Sequence, residues 1–359
     1  MSIIRKSLLC AAAVAALSIV AACGNTASSS PAEYTNPVIS RDCPDPSIID
    51  DRDASGWFYA YSTRSIVNGV QATLPVYRSK DMVHWEFVRD GFAGGYEPQW
   101  SPGGALWAPD VNRIDGRYVL YYAMGHWGDH ERSASGVALS NSPTGPFRDK
   151  GMIVSADNTG VMNSIDPVFF EDGGRRFLFW GSFGQGSGIW AVELASDGLS
   201  VKEGAEPVRI SAINTEGAYV VKHGGWYYVF ASRGSCCEGA SSTYHVVVAR
   251  SRNVLGPYTD PSGKSFLDDD YQYTILSSSP DGTFCGPGHN SALVRDDAGN
   301  DWMFYHSYWS GNEFSGRCLM LDRVDWVDDW PVIAHKRPSE SSPVPSVGAG
   351  MKTSGGPNS

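Results

Sequence analysis

The stretch SIDPVFFEDGGRRFLFWGS, residues 164–182, carries the pattern that decides the fold. A polar lead around Asp166 opens onto a short apolar run. A Gly-centred turn at 171–174 reverses the chain, and an aromatic-rich run follows. Short apolar runs flanking a Gly turn read as a β-hairpin. Four other stretches share this form: CPDPSIIDDRDASGWFYAYS (43–62), LWAPDVNRIDGRYVLYYA (106–123), TEGAYVVKHGGWYYVFAS (215–232) and GHNSALVRDDAGNDWMFYHS (288–307). Their polar or acidic leads fall at Asp45, Asp110, Asp166, Glu216 and His289. Each hairpin is followed by a third strand candidate, such as SGVALSNSPTGPF or RCLMLDRVDWV.

A repeat of three or four short strands is the unit of a β-propeller blade. The sequence therefore predicts an all-β, five-bladed propeller over residues 35–337. A β-sandwich would not account for five similar hairpins. Radial packing sets the first strand of each blade beside the central channel, so the five leads are expected to converge at one end of it.

Composition agrees. Of 359 residues, 40 are Gly and 21 Pro, only 19% are charged, and twelve are Trp. Gly and Pro at that level argue against a coiled coil or helical bundle. An apolar share of 42% argues against disorder. The net charge of −11 disfavours nucleic acid, whose binding rests on Lys and Arg neutralising phosphates. It is compatible with neutral substrates such as sugars.

The N-terminus reads as an address. Arg5 and Lys6 precede an apolar run over 8–22, too short to span a bilayer core as a helix. The run ends in Val20-Ala21-Ala22-Cys23, which resembles a bacterial lipobox with Cys23 as the lipidated residue. Residues 1–22 are thus expected to be a lipoprotein signal peptide, 23–34 a flexible tether, and 338–359 a disordered tail rich in Ser, Pro and Gly. The protein is expected outside the cytoplasm, anchored to a bacterial membrane, and monomeric. Five cysteines remain in the body: Cys43, Cys236, Cys237, Cys285 and Cys318. Their spacing forms no zinc motif. The adjacent pair Cys236-Cys237 reads either as loop packing or as a redox pair.

Three carboxylates lead repeats one, three and four. Carboxylates whose environments drive their pKa values apart are the machinery of glycoside hydrolysis. One is ionised to activate water, and the other keeps a proton for the leaving oxygen. A third beside the acid raises its pKa by repulsion.

The segments PDPSI, WAPD, SIDPVFF, TEGAYVV and GPGHNSA resemble those of glycoside hydrolase family 43, across roughly residues 36–336. The resemblance implies a five-bladed propeller that inverts anomeric configuration. It implies Asp45 as general base, Glu216 as general acid and Asp166 as the residue that tunes and orients Glu216. SPGGALWAPDV, GSF followed by SGIW, the Cys-Cys loop before STYHVVVARS, and GPGHN are similar to the arabinanases of that family. They imply endo-hydrolysis of α-1,5-L-arabinan, with His289 in the channel contributing to a calcium or water cluster. Pro44 rather than His precedes Asp45, a form shared with exo-acting members, so an exo-acting α-L-arabinofuranosidase or β-xylosidase is the alternative. A sugar-binding propeller without catalysis is a third reading. Trp107, Asp110, Asn163, Ser182 and Phe183 are expected to contact the sugar, and the loop residues Trp100, Trp127 and Trp309 are candidates to line a groove.

Overall fold

A computed structural model of the chain describes residues 32–92, 98–184 and 187–348. The expected signal peptide, residues 23–31 of the expected tether and residues 349–359 of the expected tail lie outside the described residues. Four-stranded antiparallel sheets form blades I to IV. Their first strands are Ser47–Asp50, Ala105–Ile114, Val168–Asp172 and Glu216–His223. In blade V the inner strand is split into Phe284–Gly288 and Leu293–Arg295, both paired with Asp301–Trp309.

The aromatic-rich second strands are buried on both faces, which explains why they read as continuous apolar runs rather than alternating ones. Each strand feeds two different cores. In blade III, Phe177 and Phe179 join the core shared with blade IV, while Leu178 and Trp180 join the core shared with blade II. The same alternation holds for Tyr228 and Phe230 against Val229 and Ala231 in blade IV. Phe58 and Ala60 of blade I meet Trp302 and Phe304 of blade V in one core, whereas Tyr59 and Tyr61 meet Leu120 and Tyr122 of blade II. Five inter-blade cores close the ring.

The closing joint corrects both expected boundaries. Residues 338–348 are ordered: Ser341–Pro343 pairs antiparallel with Glu33–Thr35. The Asn36 amide forks onto Leu321, donating to its carbonyl over 2.8 Å and accepting from its N–H over 3.0 Å. Val38 and Cys43 donate to the carbonyls of Leu319 and Arg317, so the N-terminal segment runs along the third strand of blade V. The Ser- and Pro-rich tail forms a strand because the unpaired edge of Glu33–Thr35 offers it backbone partners.

Candidate active site

The polar leads of blades I, III and IV sit at or just before the start of the inner strand, that of blade V sits at the break in it and that of blade II lies inside it, and a backbone device recurs close to each. Asp45, Ala108, Asp166, Gly217 and His289 all hold positive φ, between 41° and 57°. Aligned on this feature, Pro46, Pro109 and Pro167 fall in register, and the lead of blade II is Ala108, not Asp110. Asp110 instead matches Ser47 two residues further along. Both accept an N–H from the next blade: Ser47 Oγ from Val111 over 3.0 Å, and Asp110 Oδ2 from Phe169 over 2.8 Å. Asp110 also accepts from Asn112, and burial pushes its carboxyl up to about 6. It is an inter-blade strut outside the cavity, which corrects its expected role as a sugar contact.

The other expected residues converge. A cavity of about 430 Å³ is lined by Asp45, Trp107, Asn163, Asp166, Ser182, Phe183, Glu216 and His289. Trp107 lies over Gly125, where a Cβ would come within 1.7 Å of the indole. Its ring meets Trp127 edge-on at 6.1 Å, and Trp127 lines the same cavity while remaining 80% exposed. Trp100 and Trp309 pack against blade cores instead. Asn163 spends its amide N–H on the Phe183 carbonyl at 3.0 Å, fixing the loop that carries Phe183.

Asp45 is buried and held from several sides. Arg317 Nη1 donates to Oδ1 over 2.9 Å, and Thr63 Oγ1 donates to Oδ2 over 2.6 Å. His306 Nδ1 and His289 Nδ1 lie 3.2 and 3.4 Å from Oδ1. Burial alone would raise this carboxyl, but Arg317 foremost, with the two imidazoles, holds it well below the usual range. Burial pushes His306 down to about 4 and lowers His289 as well, so the permanent positive charge at Asp45 is the guanidinium.

Glu216 has the opposite surroundings. Ser182 Oγ donates to Oε2, and Tyr244 hydroxyl donates to Oε1 over 2.7 Å. Burial, helped by Asp45, raises its carboxyl against the pull of these donors and of Arg317. Asp166 is raised by burial, by Glu216 and by Asp45, and receives only the Gly217 N–H at 3.2 Å. Asp166 and Glu216 therefore titrate as a buried pair that retains a proton where Asp45 is already ionised. Ser182, expected at a sugar hydroxyl, is engaged with Glu216.

Sequence reasoning missed Arg317, His306, Tyr244 and Thr63. His126, His130, Cys236 and Cys237 also line the cavity unanticipated. Among the described residues, no group of three or more His, Cys, Asp or Glu side chains is arranged to hold a metal ion. Asn290 Oδ1 and His306 Nε2 are buried without hydrogen-bond partners. A calcium ion takes roughly six to eight oxygen ligands. Asn290 Oδ1, next to His289 in sequence, is one orphaned protein oxygen available to such an ion, and water would have to supply most of the rest.

Comparison with known proteins adds identity to this geometry. The family described as Glycosyl hydrolases family 43 matches residues 34–331. An extracellular exo-α-(1→5)-L-arabinofuranosidase of Cellvibrio japonicus is 31% identical over 294 residues, covering 73% of this chain and 81% of that protein. An extracellular endo-α-(1→5)-L-arabinanase of Bacillus subtilis is 29% identical over 298 residues, covering 80% and 86%. Among solved structures, an α-L-arabinanase of Cellvibrio cellulosa in complex with arabinohexaose matches with a TM-score of 0.72 and 28% identity, covering 83% of this chain and 96% of that one.

Proposed function

We propose, for a chain that belongs to glycosyl hydrolase family 43 and is a glycoside hydrolase, endo-hydrolysis of α-1,5-L-arabinan with inversion at the anomeric carbon. The observation that carries the reading is the electrostatic asymmetry within one cavity. Against burial, Arg317 holds the Asp45 carboxyl well below the usual range, while burial raises those of Asp166 and Glu216, so that pair keeps its proton to higher pH than Asp45 does. An ionised carboxylate accepts a proton from water as it attacks the anomeric carbon. A protonated one delivers its proton to the departing oxygen, and inversion follows from attack on the face opposite the leaving group.

In this mechanism Asp45 is the base, oriented by Thr63 and Arg317. Glu216 is the acid, its carboxyl fixed by Ser182 and Tyr244. Asp166 stands beside it, and their mutual repulsion disfavours loss of the shared proton. Trp107 offers an apolar face to a furanose ring. The calcium ion expected at His289 belongs to this proposal: His289 and Asn290 would hold it with water, and it would supply fixed positive charge beneath the site. Trp127 and Phe183 line the cavity mouth, and the Cellvibrio and Bacillus relatives act on α-1,5-arabinan bonds.

Endo action is favoured by the ground beyond Phe183. A second cavity of about 620 Å³ shares that residue and is lined by polar groups including Asn214, Ser235, Gln272 and Thr274. A chain running past the catalytic cavity has a polar path to follow. Sized products from a time course on linear arabinan test this reading. Mixed oligosaccharides with early loss of viscosity are expected, and a single short product from the start would replace endo with exo action. Both relatives named above are extracellular enzymes. We extend the proposal to export with a lipid anchor at Cys23. Cys23→Ser should move the protein from the membrane to the soluble fraction, and unchanged fractionation would remove the anchor from the account.

A further inference from the structure

Cys236 and Cys237 are joined by a disulfide between adjacent residues. Stabilisation by a crosslink grows with the length of chain it encloses, and this one encloses none. Its consequence is therefore local. The pair sits in a loop closed at its neck by Ser235 and Thr243. Thr243 N donates to the Ser235 carbonyl over 3.0 Å, and Ser235 N donates to Thr243 Oγ1 over 2.9 Å. Ser242 Oγ adds a bond to the same carbonyl at 2.7 Å. The residue that follows the neck is Tyr244, whose hydroxyl holds Glu216.

The placement of the sulfurs is unlike that of the other cysteines. Cys43, Cys285 and Cys318 are free and buried. Cys236 is half-buried and Cys237 exposed, and both line the cavity with Asp45, Asp166 and Glu216. Most of the surface this cavity exposes is apolar, and its lining includes Trp107, Trp127, Ile165 and Phe183 beside the disulfide. A disulfide carries neither N–H nor O–H and presents a polarizable, apolar surface. Crosslinking neighbouring residues also removes the side-chain freedom that two thiols would have.

Resting on the proposed function, we infer that the Cys236–Cys237 disulfide is a sugar-contacting element of the catalytic cavity. It is a rigid apolar ledge on which the C–H face of an arabinofuranose ring packs. It sets substrate affinity and takes no part in proton transfer. Reduction replaces the rigid ledge with two independently mobile thiols and weakens binding while leaving Asp45 and Glu216 in place.

The test compares steady-state kinetics on α-1,5-L-arabinohexaose for four forms. These are the oxidised wild type, the wild type reduced with a phosphine, the same protein after re-oxidation, and the double variant Cys236→Ser/Cys237→Ser. Mass measurement after alkylation confirms that two thiols appear and disappear. Loss of an apolar contact predicts KM rising about tenfold, with kcat changing much less. Re-oxidation should restore KM. An unchanged KM in the reduced protein overturns the inference, and so does a fall in kcat at constant KM, which would place the effect on Tyr244 and Glu216. The reduced wild type decides the matter even where the double variant fails to fold. Absence of any hydrolysis by the oxidised wild type would overturn the proposed function and this inference with it. Hydrolysis that ignores the redox state overturns the ledge alone.

Discussion

Arg317 Nη1 stands 2.9 Å from Asp45 Oδ1, joining the third strand of blade V to the start of blade I across the joint where the ring closes. One ion pair thus couples closure of the propeller to the charge state of Asp45, the base of the proposed mechanism. The guanidinium is mostly shielded, its side chain 16% exposed, so the pair is only partly screened, and removing Arg317 leaves the Asp45 charge without its strongest partner.

Arg317→Ala is therefore expected to act through Asp45. Burial raises that carboxyl and Arg317 is the chief group holding it down, so its pKa rises in the variant. Activity requires Asp45 ionised, hence the acid limb of kcat/KM moves to higher pH. A pH profile of wild type and variant checks this, and kcat/KM at neutral pH should fall by about 10²-fold. An acid limb that stays in place would mean another group sets the charge of Asp45.

Ser182 and Tyr244 act on the other limb. Their hydroxyls donate to Glu216 and lower its pKa against burial. Tyr244→Phe and Ser182→Ala remove a donor to the ionised form, so the carboxyl rises further. Activity requires Glu216 protonated, so the alkaline limb of the profile moves to higher pH. Loss of orientation should lower kcat by about tenfold in each variant. The pH profile on arabino-oligosaccharide reads both effects.

Gly125 is the floor beneath Trp107, with its missing Cβ only 1.7 Å from the ring. Gly125→Ala forces the indole to move. KM for arabino-oligosaccharides should rise by about tenfold or more, and the thermal midpoint should fall by the equivalent of about 1–3 kcal/mol of overpacking. Unchanged KM would remove Trp107 from the sugar-binding surface.

The proposed calcium ion predicts a ligand effect. Chelation with EDTA should lower the thermal midpoint or kcat, because an ion that binds only the folded state stabilises it by mass action. Added calcium should restore the loss. No change in either quantity would leave His289 and Asn290 without an ion.

How much of this was legible beforehand depended on whether a residue repeats. Asp45, Asp166 and His289 hold the recurrent positive-φ position and Glu216 stands one residue before it, and radial packing brings such positions together wherever they lie in the chain. Asp110 carries the charge of the second segment yet stands off that position. Alignment on Pro46, Pro109 and Pro167 puts Ala108 in the lead position and Asp110 two residues on, where its oxygen braces blade III. Arg317 opens the third strand of blade V and reaches Asp45 only across the closing joint, while Tyr244 comes from the loop just before the third strand of blade IV, so neither belongs to the hairpin pattern that repeats. The tail over 341–343 looks like linker by composition, yet it pairs with Glu33–Thr35. Composition describes the segment, whereas the open strand beside it decides its structure.

The central claim is a division of labour: Asp45 activates water and Glu216 protonates the leaving oxygen. Leaving-group dependence tests it most directly. Glu216→Gln and Asp45→Asn are each assayed on linear arabinan and on a dinitrophenyl α-L-arabino-oligosaccharide, whose leaving group needs no proton. The account predicts that Glu216→Gln loses arabinan hydrolysis by about 10²–10⁴-fold but largely keeps activity on the dinitrophenyl substrate. Asp45→Asn should lose both. Equal losses by Glu216→Gln on the two substrates, or survival of Asp45→Asn on either, would contradict it.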